Sequence, residues 1–126
     1  MSKPIWYIYG CGGLGLETMD ILNDNIKNNV TEDHSSIFIV DEVVEPVVDG
    51  YSVICLKDAV KGSKVTIAVG EPAIRKALLD KIHHRKLILS SMISSHAFVS
   101  DSAVINDGVI VAPYVSIQAR AHVGEN

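Results

Sequence analysis

The chain has 126 residues, enough for one domain of ordinary size and too few for two. Hydrophobic residues make up 48% and charged residues 21%, and 39 are Ile, Val or Leu, which builds a core and excludes disorder. Eleven basic against fifteen acidic residues give a net charge of -4 without the basic surface that neutralises phosphates, so nucleic-acid binding is not expected.

No apolar run has the length needed to cross a bilayer, and Ile5 to Tyr9 is too short for a secretory leader. Cys11 and Cys55 lie far apart and give neither a metal spacing nor a disulfide framework. The expectation is a soluble, reduced, cytoplasmic protein with no membrane partner and no metal.

In chain order, Ile5-Trp6-Tyr7-Ile8-Tyr9 reads as a buried strand. It runs into Gly10-Cys11-Gly12-Gly13-Leu14-Gly15. A helix follows, with Leu14, Thr18, Ile21 and Leu22 on one face, and Asn23 to Asn29 marks its end and a loop. Ile37 to Asp41 is a second strand closed by a carboxylate. Residues 43–50 read as irregular chain, with Pro46 and Asp49-Gly50 as turn signals. A short strand near 52–54 and a short helix near 56–60 come next. Val65 to Val69 is another buried strand, ended by Gly70. Pro72 opens a second helix through His83, with Ile74, Leu78 and Ile82 on one face and Arg75, Lys76 and Lys81 on a solvated one. Leu87 to Leu89 is a last short strand. Such alternation implies parallel strands flanked by helices.

Gly10-x-Gly12-x-x-Gly15 lies where a dinucleotide fingerprint belongs, after a strand and opening a helix. Glycines let the backbone approach a phosphate, and the free N–H groups of a helix N-terminus favour an anion. Asp41, at the end of the next strand, suits a ribose-binding acid. Gly70 ends the third strand beside the same crevice. Alternatively, the glycines serve only tight strand–helix packing, and Gly70 is a plain turn residue. Cys11 is most simply a small buried residue.

From residue 97 a six-residue period takes over. Val99, Ile105, Val111, Ile117 and Val123 are aliphatic and six apart, and Ala103, Val109, Val115 and Ala121 follow four positions after the first four. An aliphatic residue that fills a prism and a small one that allows its corner define a hexapeptide β-helix repeat. Counted from Val99, four hexads and part of a fifth make about one and a half triangular coils.

These stretches, taken together, carry a resemblance. Tyr7 to Gly15, Val40-Asp41-Glu42, Ala68-Val69-Gly70 with Ile74-Arg75, and the hexads from Ile93 resemble the bacterial sugar acetyltransferases of the sialic-acid O-acetyltransferase and bacillosamine N-acetyltransferase type. The likeness covers almost the whole chain in the right order. It implies an α/β fold: a small Rossmann-like parallel sheet with flanking helices over residues 1–92, then the first coils of a left-handed hexapeptide β-helix over 93–126. It implies a nucleotide-linked sugar (UDP- or GDP-linked) as substrate, acetyl-CoA as cofactor, a homotrimer for the full-length protein, and a role in bacterial surface-polysaccharide or glycan biosynthesis.

Carried over by position, Gly10, Gly12, Gly13, Leu14 and Gly15 resemble the loop against the diphosphate and sugar. Asp41 and Glu42 match a pair of acids near the base or ribose, and Gly70 and Glu71 match the loop after the third strand. The family often has His where Leu14 stands, and Ile-His-Pro where this chain has Ile93-Ser94-Ser95. Its catalytic His, beside an acid, would come shortly after Asn126, and its acetyl-CoA contacts further on. The chain is therefore expected to be the substrate-binding N-terminal portion, inactive alone, with no catalytic residue of its own. His122 with Glu125 is a weaker candidate base on an outward repeat position, and Arg75 a weaker phosphate contact. The competing functions are an NAD- or nucleotide-binding Rossmann module without acyl transfer, and a non-catalytic nucleotide-sugar sensor or scaffold.

Overall fold

The computed structural model describes residues 3–124. Strand β1 (Ile5–Tyr9) sends Trp6 and Ile8 into the core on one face of a sheet and Tyr7 and Tyr9 into the core on the other. Burial on both faces explains its unbroken apolar run. Helix α1 (Gly13–Lys27), β2 (Ser35–Val40), β3 (Val47–Val48), β4 (Tyr51–Cys55), a 3-10 turn at Leu56–Asp58, β5 (Lys64–Ile67), α2 (Pro72–His84) and β6 (Ile88–Leu89) follow.

The sheet order is β3-β4-β2-β1-β5-β6. All neighbours are parallel except β3 and β4, which form a hairpin; β3 lies inside the stretch expected to be irregular, and β4 covers the short strand expected near 52–54. Asp49 and Gly50 both have positive φ there, the backbone a two-residue hairpin turn needs. The parallel strands run β4-β2-β1-β5-β6, so the chain leaves β1 in both directions. The carboxyl ends of β1 and β5 flank the crevice where open α/β sheets bind ligands.

Helix α1 packs Met19, Ile21 and Leu22 on the Trp6 face, and α2 packs Leu78 and Ile82 on the Tyr7 face. Glu71 caps α2 by accepting from the N–H groups of Ala73 and Ile74, ahead of Pro72. Helix α1 runs to Lys27, through the Asn-rich segment expected to end it. Tertiary contacts override the weak helix propensity of Asn. Asn23 donates to the Met19 carbonyl, and Asn25 is buried at 3% exposure.

Six two-residue strands follow: β7 (Met92–Ile93), β8 (Phe98–Val99), β9 (Val104–Ile105), β10 (Ile110–Val111), β11 (Ser116–Ile117) and β12 (His122–Val123). β7 pairs with β10, β8 with β11 and β9 with β12, all parallel, with Met92 opposite Ile110 and Phe98 opposite Ser116. Each partner lies three hexads on, so a coil has three sides and two coils are present. The chain therefore forms two coils where the period from Val99 predicts one and a half. Ile93 and Ala97 extend both aliphatic series one hexad earlier, where Ser94, Ser95 and His96 hide the pattern. Val109, Val111 and Ile117 form the prism core, with Ile93, Ala97, Val99, Ala103, Ile105, Ala121 and Val123 packed against it. Val115 departs from its series and stays 40% exposed.

The coils are bonded to the sheet domain. Met92 enters the core under α1. The Asn25 side chain donates to the Ile93 carbonyl at 2.8 Å and accepts from the Ser95 N–H at 2.9 Å. Arg75, expected on a solvated face, is turned inward, donating to the carbonyls of Ile67, at the end of β5, and of Gly108, in the second coil. Burial lowers the pKa of its guanidinium, which remains a charged donor.

Candidate functional site

The glycine loop divides into two pairs of positions. Gly10, with φ +104, and Gly15 are fixed by packing: a Cβ would lie 3.0 Å from the Ala68 carbonyl oxygen at Gly10 and 2.1 Å from the Gly10 carbonyl oxygen at Gly15. Only glycine allows α1 to start this close to β1 and β5. At Gly12 and Gly13 a Cβ would meet nothing within 4 Å, and both are exposed. Gly12 is the N-cap of α1 and brings no side-chain cap, and the first turn has no acid. No side chain thus caps the first N–H groups of the helix, an arrangement that favours an anion.

A cleft of about 1160 Å³ opens between α1, the loop after β5 and the second coil. Leu14 and Gly70 line it. Its helix wall carries Glu17, Asp20 and Asp24 on one stripe, and its coil wall is apolar, with Val109, Ile110, Ala112 and Pro113. His96 Nε2 pairs with Asp24 at 3.0 Å across the cleft, and its ring lies 5.9 Å from that of Tyr114. Tyr114 is 85% exposed and holds a positive φ in the turn between β10 and β11.

On the α2 side of the same sheet edge lies a groove of about 620 Å³, lined by Asp41, Cys55, Leu56, Lys57, Lys81 and Arg85 among others. Tyr9 donates its hydroxyl to Asp41 Oδ1 at 2.5 Å, and Lys81 Nζ lies 3.3 Å from the same oxygen. The hydrogen bond from Tyr9, with help from Lys81, lowers the Asp41 pKa. Burial and the neighbouring carboxylate raise that of Tyr9. Asp41 is therefore an anion and Tyr9 a neutral donor at neutral pH.

The structure places the sequence candidates in three groups. Gly10, Gly12, Gly13 and Gly15 form the loop, Leu14 and Gly70 line the large cleft, and Asp41 lines the second groove. Glu42 is exposed. The Glu71 carboxylate is engaged at the N-terminus of α2. His122 lies opposite Val104 on the outside of β12, exposed; Glu125, suggested as its partner, is outside the described residues. Cys11 is half-buried against the core. Sequence reasoning missed Asn25, the His96–Asp24 pair, Tyr9 and Lys81. For Asn25 a signal existed: it continues the spacing of Thr18, Ile21 and Leu22 on the apolar stripe of α1. Among the described residues no group of three or more His, Cys, Asp or Glu side chains is placed to hold a metal, and no helix is long and apolar enough to cross a membrane.

The sequence matches the PglD N-terminal domain family over residues 6–82, from β1 into α2. The chain belongs to this family. Among relatives of this PglD-type domain, GDP-perosamine N-acetyltransferase of Escherichia coli O157:H7 is 26% identical over 124 residues, covering 95% of this chain and 56% of that protein. The acetyltransferase domain of PglB from Neisseria gonorrhoeae FA1090, solved with acetyl coenzyme A, superposes with a TM-score of 0.80 at 23% identity, covering 97% of this chain and 59% of that one. PerB from Caulobacter crescentus, solved with CoA and GDP-perosamine, gives 0.73 at 21% identity, covering 96% and 57%. The PglD-type chain thus spans little more than half the length of the relatives it matches, and its fold, sheet and coils together, recurs in the two solved structures.

Proposed function

We propose that the chain is the nucleotide-sugar-binding portion of an acetyl-CoA-dependent acetyltransferase acting on a nucleotide-linked sugar in bacterial surface-glycan biosynthesis. The observation that carries this reading is the glycine loop. Gly10 and Gly15 are locked by packing, while Gly12 and Gly13 leave an uncapped helix N-terminus open beside a cleft walled by hexapeptide coils. A hydride-transferring Rossmann module has no use for such coils. Residues 1–92 hold the substrate and 93–126 begin the β-helix.

In this reading the backbone of Gly12 and Gly13 approaches the diphosphate, with Gly10 and Gly15 shaping the loop. Asp41 and Glu42 face the nucleoside, Leu14 and Gly70 border the sugar, and Glu71 sets the loop after β5 through its cap. The family likeness and the relatives' names support the acyl donor. Within the described coils, however, Arg120 is the only Lys or Arg between Met92 and Gly124, so these residues do not assemble the cationic site that CoA phosphates ask for. No step of acyl transfer is assigned to them. Trimer formation is supported by Phe98 and Val104, which point outward and exposed on two coil faces while α1 covers Met92 on the third. An acidic net charge is in keeping with the cytoplasmic location of this reading.

Isothermal titration of the chain with nucleoside-diphosphate sugars and with NADH tests the reading. Saturable binding of a nucleotide sugar is expected. Binding of NADH with none of any nucleotide sugar overturns it.

A further inference from the structure

We propose that Arg75 is a positioning residue that sets the width of the cleft, and so governs how tightly the sugar, as distinct from the nucleotide, is held; this rests on the nucleotide-sugar reading above. The coils are bonded to the helices of the sheet domain at two heights. Asn25 of α1 holds the first coil at Ile93 and Ser95. Arg75 of α2 holds the second. Its guanidinium donates through one nitrogen to the Ile67 carbonyl at 2.7 Å and through the other to the Gly108 carbonyl. The first anchor sets where the stack begins, and the second sets how far it leans from the sheet.

Both bonded carbonyls adjoin a wall of the cleft. Ile67 ends β5, and Val69 and Gly70 line the cleft just beyond it. Gly108 lines the facing side, with Val109 and Ile110 after it. One planar group thus spans the two walls, and the fixed fork of its N–H groups holds their separation. The turn it grips is firm. Gly108 has φ +84 and is buried close against the Leu89 side chain. The Ser91 hydroxyl accepts from the Val109 N–H at 3.0 Å and donates to the Asn106 carbonyl at 2.9 Å. The glycine loop is held separately. The Gly10 N–H bonds the Ile39 carbonyl at 3.0 Å, the Ala68 N–H bonds the Tyr9 carbonyl at 2.9 Å, and Gly15 packs on Gly10. A diphosphate at Gly12 and Gly13 therefore does not depend on the coil wall, whereas a sugar beyond it lies between the two walls that Arg75 joins. Lysine keeps the charge but lacks the fork, so it cannot hold both carbonyls in the same geometry.

The test is titration of the 126-residue chain with UDP and UDP-N-acetylglucosamine, and with GDP and GDP-mannose, with circular dichroism to confirm folding of each variant. Arg75→Lys should weaken the nucleotide sugar about tenfold while leaving its nucleoside diphosphate within about twofold. Arg75→Gln, which drops the charge as well, should do the same. In the wild-type chain, exchange of the amides of residues 108–110 should slow with a nucleotide sugar and stay unchanged with the nucleoside diphosphate alone. If neither variant folds, that exchange measurement decides by itself. Equal losses for both ligands, a loss in Arg75→Gln that Arg75→Lys does not share, or unchanged affinities overturn the inference and leave the nucleotide-sugar reading standing; the second of these marks a phosphate contact made through charge. Exchange at 108–110 that ignores the sugar also overturns it. Failure of every nucleoside diphosphate and every nucleotide sugar to bind overturns both.

Discussion

Replacing Asn25 with Ala probes the seam between sheet and coils. The side chain is 3% exposed and satisfies two backbone groups of the first coil, the Ile93 carbonyl at 2.8 Å and the Ser95 N–H at 2.9 Å. Truncation leaves a donor and an acceptor without partners in a site closed to water. Each orphaned group costs on the order of 1–3 kcal/mol. A total of about 3 kcal/mol follows, a large fraction of the 5–15 kcal/mol typical of a whole domain. At about 2.1 cal/mol/K of unfolding entropy per residue, a chain of this size loses about 11 °C of Tm. Scanning calorimetry reads that shift. Hydrogen exchange gives the location: amides of residues 92–111 should lose protection more than those of β1 and β2. Asn25→Asp should be no better, because a carboxylate keeps the Ser95 contact but sets a negative charge against the Ile93 carbonyl. A Tm loss below about 3 °C, or exchange rising evenly through the sheet, would refute the idea that Asn25 fastens the coils.

The remaining expectations are simpler. Gly15→Ala forces a Cβ to 2.1 Å from a backbone oxygen and should cost about 3 kcal/mol or more, or prevent folding, as read by urea denaturation. Gly13→Ala meets nothing within 4 Å, so it should hold or raise stability by up to about 1 kcal/mol while weakening nucleotide-sugar binding; an affinity equal to wild type would count against phosphate approach there. The Ser95 hydroxyl is buried with no hydrogen-bond partner among the described residues, so Ser95→Ala should be neutral or stabilising, and a measured loss above about 1 kcal/mol would contradict this. The Tyr9–Asp41 bond has two pH limits. The raised Tyr9 pKa means its contribution is complete below the ordinary tyrosine pKa of about 10 and is lost as pH rises beyond it. The lowered Asp41 pKa means its contribution is present above the ordinary carboxylate pKa of about 4 and is lost as pH falls through the folded value. Tyr9→Phe should therefore narrow its stability gap to wild type between pH 8 and pH 11, and a constant gap would refute the assignment.

What was legible in the sequence follows from periodicity. A strand buried on both faces, a glycine loop and a six-residue aliphatic period each leave a one-dimensional mark, and Ile5 to Gly15 and Val99 to Val123 show them directly. Polar residues with tertiary partners leave none. Asn disfavours helices, so the composition around Asn25 predicts a loop, yet its two amide contacts lie 68 and 70 residues away and hold it in α1. The charged neighbours of Arg75 on α2 predict a solvated side chain, while its guanidinium joins β5 to the second coil. Ser94, Ser95 and His96 interrupt the aliphatic pattern, so the period alone shows from Val99 and the hexad at Ile93 is legible only through the family resemblance. Of the site, the glycine loop could be read from spacing, whereas the split between a cleft on the α1 side and a groove on the α2 side depends on which way each strand-end side chain points. Asp41 ended in the groove because Tyr9, its donor, belongs to the α2 face.

The seam at Asn25, Met92 and Arg75 also gives the coils a fixed zero. Successive coils stack at about the 4.8 Å spacing of paired strands, so each coil acts as one graduation on a ruler whose origin is the glycine loop. Inserting eighteen residues would slide every later side chain by one graduation without turning it. Inserting six would turn it onto the next side of the prism. A group on a given side can therefore be offered to a ligand held at Gly12 and Gly13 only at discrete heights, and α1 sets where the scale begins.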